Sequence, residues 1–139
     1  MTGGSIVGCS AADGGAVYMN GGNFNMNSGS IIGCTATNGG AVYALSGKLT
    51  MTGGSIVGCT ARGDSAYGGG VFVSENATFT MSGGSITGCT AIAQGEGIAF
   101  AWGGGIRNGG STTLSGTAEI RNCQAANNAI PGRSSSEPQ

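Results

Sequence analysis

Histidine is absent from this chain, proline occurs twice, and charge is scarce: five basic and six acidic residues in 139. Each shortage closes off some chemistry. Without histidine there is no imidazole to act as a neutral-pH base or to complete a tetrahedral zinc set. A net charge of −1 leaves no basic footprint for nucleic acid or an anionic membrane. The carboxylates are Asp13, Asp64, Glu75, Glu96, Glu119 and Glu137. They are too scattered for the clusters that bind calcium or pair as acid and base in glycan-cleaving enzymes. No catalytic residue, metal site or cofactor is therefore expected, and the chain reads as a non-enzyme. No apolar run approaches the ~20 residues that cross a bilayer, so no membrane insertion is expected. Met1 leads directly into patterned sequence, with no basic and apolar leader before it. That leaves a removed signal, a fragment of a longer protein, or another export route.

What is abundant is glycine, 31 residues, about three times the usual share. Glycine with little charge can mean disorder. Here apolar residues make up 39% and fall at fixed positions, which argues for a packed structure. The positions are marked by Cys9, Cys34, Cys59, Cys89 and Cys123, spaced by 25, 25, 30 and 34 residues. Periods of this size signal stacked structural units. Around the cysteines the text nearly repeats: MTGGSIVGC at 1–9, MNSGSIIGC at 26–34, MTGGSIVGC at 51–59, MSGGSITGC at 81–89, and a degraded LSGTAEIRNC at 114–123. A second block reads GGAVY at 14–18 and 39–43, GGGVF at 68–72 and GGGIR at 103–107. A third reads FNM at 24–26, LTM at 49–51, FTM at 79–81 and TTL at 112–114.

Each unit thus holds three apolar segments of about 3–6 residues, too short for helices and suited to strands. Paired glycines supply the corners. The spacing predicts an all-β fold: a single right-handed parallel β-helix of about five coils, with three short strands per coil and enlarged loops in coils three and four. The repeat domain spans 1–127, divided as 1–25, 26–50, 51–80, 81–113 and 114–127, and a polar tail covers 128–139. Like residues would stack in columns ~4.8 Å apart. The inward columns are Met1, Met26, Met51, Met81 and Leu114; Ile6, Ile31, Ile56, Ile86 and Ile120; Val17, Val42, Val71 and Ile106; and Phe24, Leu49 and Phe79. The columns Val7, Ile32, Val57, Thr87, Arg121 and Tyr18, Tyr43, Phe72, Arg107 end in arginine, which places them outside.

The pattern M-x-G-G-S-I-x-G-C-T-A, then G-G-A-V-Y, then F-T-M, resembles the β-helical repeats of large bacterial and archaeal adhesin-like surface proteins. It is similar to the GGA-[ILV] repeats of chlamydial polymorphic membrane proteins. The resemblance covers about residues 1–127. In those families the position of Cys here is often Asn, and the companion F-x-x-N motif is only partly present, since Phe72-Val73-Ser74 lacks the Asn. The resemblance implies an extracellular or cell-surface stalk or display surface with no shared catalytic residues.

Three features are candidates for function. The cysteine column brings five thiols within disulfide range, yet an odd count and parallel side chains favour a small buried hydrophobe filling a corner. The second feature is a corner loop of four residues in the first two units, which grows to Thr60–Tyr67 and Thr90–Trp102 in the next two. These insertions should lie one above the other, as binding loops of stacked repeats do. They carry Arg62, Asp64, Tyr67, Gln94, Glu96, Phe100 and Trp102. They either contact a glycan or host surface protein, or fold down over the unit; Asp64 and Glu96 are the one carboxylate pair that could meet there. The third is the column Tyr18, Tyr43, Phe72, which either grips a ligand or stabilises the sheet. A flanking set of Thr and Asn residues is interrupted by Lys48 and reads as ordinary strand alternation. The uncapped first unit suggests a piece of a longer stalk, or a homo-oligomer formed by end-to-end stacking.

Overall fold

The computed structural model describes residues 1–95 and 99–127. The polar tail at 128–139 and the Glu96 position lie outside them. The described residues contain sixteen strands and no helix. In chain order these are β1 (Thr2–Val7), β2 (Val17–Met26), β3 (Ser28–Ile32), β4 (Thr35–Ala36), β5 (Val42–Met51), β6 (Ser55–Val57), β7 (Thr60–Gly63) and β8 (Ala66–Tyr67). There follow β9 (Val71–Met81), β10 (Ser85–Thr87), β11 (Thr90–Ala93), β12 (Ala101–Trp102), β13 (Ile106–Asn108), β14 (Ser111–Leu114), β15 (Glu119–Arg121) and β16 (Gln124–Asn127).

Every strand pair is parallel, and neighbours in space are one repeat apart in sequence. One sheet runs β1-β3-β6-β10-β15, a second β16-β11-β7-β4, and a third β13-β9-β5-β2, with β14 also pairing β9. β12 and β8 form a small fourth sheet from the insertions. The register sets like on like. Ile6 faces Ile31, Ile31 faces Ile56, Ile56 faces Ile86 and Ile86 faces Ile120. In the third sheet Val17, Val42, Val71 and Ile106 form one row.

The core follows from period two: alternate residues of each strand point inward, and the inward ones are the expected columns. Ile31, Ile56, Ile86, Met26, Met51, Met81, Val42, Val71 and Phe79 are all buried. Members at the outer levels, Ile6, Val17 and Ile120, pack on the same cluster but are only partly buried. Leu114 departs from its column: it pairs with Met81 in register yet is half exposed, because β14 lies at the sheet edge with no further strand over it. The outward column is as expected, with Val7, Ile32 and Val57 all exposed.

The strands themselves differ from the expected three short segments. The second and third blocks lie on one long strand in the first three units: β2, β5 and β9 have 10, 10 and 11 residues. In β2 and β5 the intervening glycines bend the strand without breaking it, and β9 holds no glycine. Gly21, Gly22 and Gly47 take positive φ, and the pairing slips register beside them. Only in the fourth unit does Gly109-Gly110 divide the strand into β13 and β14.

The double glycines are required by space as well as by conformation. At Gly39 φ is +64°, a region β-carbons disfavour. At Gly40 a β-carbon would stand 2.1 Å from the Gly69 carbonyl oxygen. The chain turns the corner there by passing directly against the next level.

A second, smaller core belongs to the insertions. Ala61, Ala66, Ala91, Ala93, Ala99 and Ala101 bury together. Alanine is small enough to let β7, β8, β11 and β12 close on one another, and that packing holds the loops in place.

Candidate functional site

The two insertions do stack. Thr60 faces Thr90, Ala61 faces Ala91 and Arg62 faces Ile92 in one sheet, and Ala66 faces Ala101 and Tyr67 faces Trp102 in the small sheet. The Ala66 N–H donates to the Phe100 carbonyl (2.7 Å) and the Phe100 N–H donates to Ser65 Oγ (3.1 Å), so the longer loop is tied down upon the shorter. Alternation then sorts the side chains. Ala99 and Ala101 point into the alanine core, while Phe100 and Trp102 stand toward solvent. The loop thus folds down over the unit through its alanines and leaves its alternate aromatic residues toward solvent.

The aromatic column lies beside them. Tyr18 and Tyr43 stack with centroids 5.4 Å apart and an interplanar angle of 2°. Tyr43 and Phe72 stack at 4.8 Å and 9°. These distances are the spacing of adjacent strands, so the rings simply inherit the register. Tyr18, at the open end, is 51% exposed. Burial pushes the Tyr43 phenol above its ordinary value, and the nearby Asp13 carboxylate adds to the shift.

The column and the loops form one surface. Tyr67 meets Phe72 edge-on at 6.3 Å and Trp102 at 5.6 Å, and Trp102 meets Phe100 at 5.4 Å. Arg107, the next residue in the tyrosine column, closes the cluster. Its guanidinium lies 5.1 Å from the Trp102 centroid and 5.9 Å from those of Tyr67 and Phe72. Each such contact contributes about 0.5–1 kcal/mol at a partly exposed site. Its Nε is buried with no hydrogen-bond acceptor, which costs about 1–3 kcal/mol. The two magnitudes roughly offset, so the guanidinium adds little net stability to the fold. Arg107 was visible in the sequence as the last member of an outward column, but its approach to the loop aromatics depends on how far the insertions fold back, which periodicity does not encode.

The remaining loop candidates stand apart. Arg62, Asp64 and Gln94 are exposed, and no ring contact or ion pair among the described residues joins them to the aromatic group. Asp64 supports the longer loop through its backbone, accepting from the Gly95 N–H (3.0 Å).

The cysteine column is internal. Cys34, Cys59 and Cys89 are fully buried, Cys123 is partly so and Cys9 is exposed; all five are free thiols. Each buried sulfur lies within reach of two carbonyls, one on its own level and one on the level before, as Cys59 does with Val57 (3.6 Å) and Ile31 (3.9 Å). Burial pushes the Cys34 thiol above its ordinary value. The hydrogen bond shared with Cys59, and then burial, hold the Cys89 proton in place. Among the described residues no metal-binding group of three or more Cys, Asp or Glu converges, and no cavity opens.

Comparison with protein-family models, with curated proteins and with solved structures returned no match to this chain.

Proposed function

We propose that this chain is a non-catalytic structural module: a right-handed parallel β-helix of about five coils, serving as a stalk or filament segment of an extracellular, adhesin-like surface protein. The observation that carries the reading is the register. Residues one repeat apart pair directly in all three main sheets, including across the insertions, where thirty residues separate Ile56 from Ile86. The five-stranded order β1-β3-β6-β10-β15 supports a count of five coils, and the strand pairs β7–β11 and β8–β12 support enlarged loops in coils three and four. Such a stack buries its core between levels, so length can be added without redesign.

The test is to lengthen the chain by one unit. A second copy of residues 26–50 inserted after Thr50 should fold, extend the particle by ~4.8 Å and raise the unfolding midpoint. An insertion variant that unfolds or aggregates would remove the β-helix reading. Electron microscopy at rising concentration separates the two structural forms: filaments support self-stacking, and uniform short particles leave the stalk.

A second reading has its own support. The merging of Tyr18, Tyr43, Phe72, Tyr67, Phe100 and Trp102 into one continuous surface favours a binding module for a glycan. Exposed aromatic side chains with little conformational entropy to lose are the usual anchors of recognition surfaces. A stalk with a binding face combines both readings.

A further inference from the structure

We infer that the Arg107 guanidinium, held among Tyr67, Phe72 and Trp102, is the anion-recognising point of the aromatic surface, and that its ligand is an acidic saccharide whose sugar ring carries a carboxylate. The inference rests on the glycan-binding reading above and narrows it to a charge class.

Three observations carry it. First, Arg107 has no counter-ion among the described residues, where the ion pair found joins Arg121 to Glu119. A guanidinium set into a partly buried site without an anion is complementary to one supplied from outside. Second, its orientation is fixed. Nε is sealed against the cluster, and three rings hold the planar group from 5.1 to 5.9 Å away. Among the described residues the terminal amino groups have no hydrogen-bond acceptor, and they present the fork geometry that fits a carboxylate. Third, the surroundings are apolar and aromatic. Trp102 is 37% exposed, and Tyr67 and Phe100 are half-buried beside it. Rings of this kind offer plates for the C–H faces of a sugar next to the charge. Peptides are taken up mainly in grooves or along sheet edges. No groove opens among the described residues, but Arg107 and Trp102 stand on the edge strands β13 and β12, so the test sets a peptide against the sugar.

The only tryptophan of the chain sits in the cluster, so its fluorescence reads binding directly. The full chain is titrated with an oligosaccharide containing uronic acid, with the same oligosaccharide after reduction of its carboxyl groups, and with a polyglutamate peptide. The acidic sugar should bind at least tenfold more tightly than its reduced form, and its affinity should fall as salt rises. Arg107→Gln should abolish that difference while leaving the weak binding of the reduced sugar. Arg107→Lys, which keeps the charge but not the fork, should fall between. Circular dichroism and the thermal midpoint verify that both variants stay folded. Equal binding of acidic and reduced sugars by the unaltered chain overturns the assignment to Arg107 but keeps the glycan surface. Polyglutamate binding as tightly as the acidic sugar overturns the ligand class. No binding of either sugar overturns the glycan reading itself.

Discussion

Cys34, Cys59 and Cys89 stack one level apart inside the molecule, and Tyr18, Tyr43 and Phe72 stack one level apart outside it. Both columns arise from the same parallel register, and neither needed a separate cause. Their surroundings make them different. The thiols are closed in by the isoleucine and methionine rows, where each sulfur meets only carbonyls and its neighbouring thiols. The rings face solvent and meet a second set of aromatics from the insertions. Repetition alone is therefore no sign of function in a stacked chain. What distinguishes the outer column is that it ends in a guanidinium that has no carboxylate partner among the described residues.

The contrast between inside and outside is sharpest at two adjacent residues of β6. Ile56 is buried and Val57, the next residue, is exposed. Ile56→Ala should cost about 2–5 kcal/mol, because the levels above and below cannot close over the missing atoms. Val57→Ala should cost no more than about 0.5 kcal/mol. Urea unfolding of the two variants measures both. Equal losses would mean that the alternation does not divide core from surface in this sheet.

That division was legible in the sequence because it depends only on period two and on repeat spacing. The rows headed by Ile6 and Val17 could be written down from the cysteine spacings, and the arginines at 107 and 121 marked the outward columns. Two things were not legible. The long strands β2 and β5 run through glycines that normally end a strand; whether such a glycine breaks pairing or bends it depends on the neighbouring level, and Gly47 packs against the Gly22 carbonyl. The union of loop and column was hidden because it is set by the alanine core beneath the insertions. Ala99 and Ala101 must bury before Phe100 and Trp102 can face outward beside Arg107. An alanine-rich stretch does not declare which of its residues will be inside.

The inner column makes a prediction about alkali. Burial raises Cys34, and the bond to Cys59 together with burial raises Cys89, above the ordinary thiol value of 9.0. The folded chain thus holds these protons after the unfolded chain has released them. Their contribution to stability is complete below pH 9.0 and declines as pH climbs past it. Urea midpoints across the alkaline range should show this fall, with a further part above 10.0 from the raised Tyr43. The double variant Cys34→Ala, Cys89→Ala should lose the earlier part and keep the later one. Thiol labelling offers a parallel check: Cys9 should react at once, Cys123 more slowly, and the three buried thiols only on unfolding. Rapid labelling of all five in the folded chain would place the column on the surface.

The smallest effect is the most informative about the outer column. Parallel rings at 4.8 Å could be a stabilising stack, or they could be neighbours only because their strands are. A double-mutant cycle on Tyr43→Ala and Phe72→Ala distinguishes the two. A coupling of about 0.5–1.5 kcal/mol would make the column a stabilising element in its own right. A coupling near zero would mean that the register alone brings the rings together. Exposed aromatics that add nothing to stability beyond their own burial are costly to keep in contact with water. A vanishing coupling would therefore strengthen the case that these rings are held out for a ligand, and a large one would return Tyr43 and Phe72 to the scaffold, leaving Trp102, Tyr67 and Arg107 as the binding face.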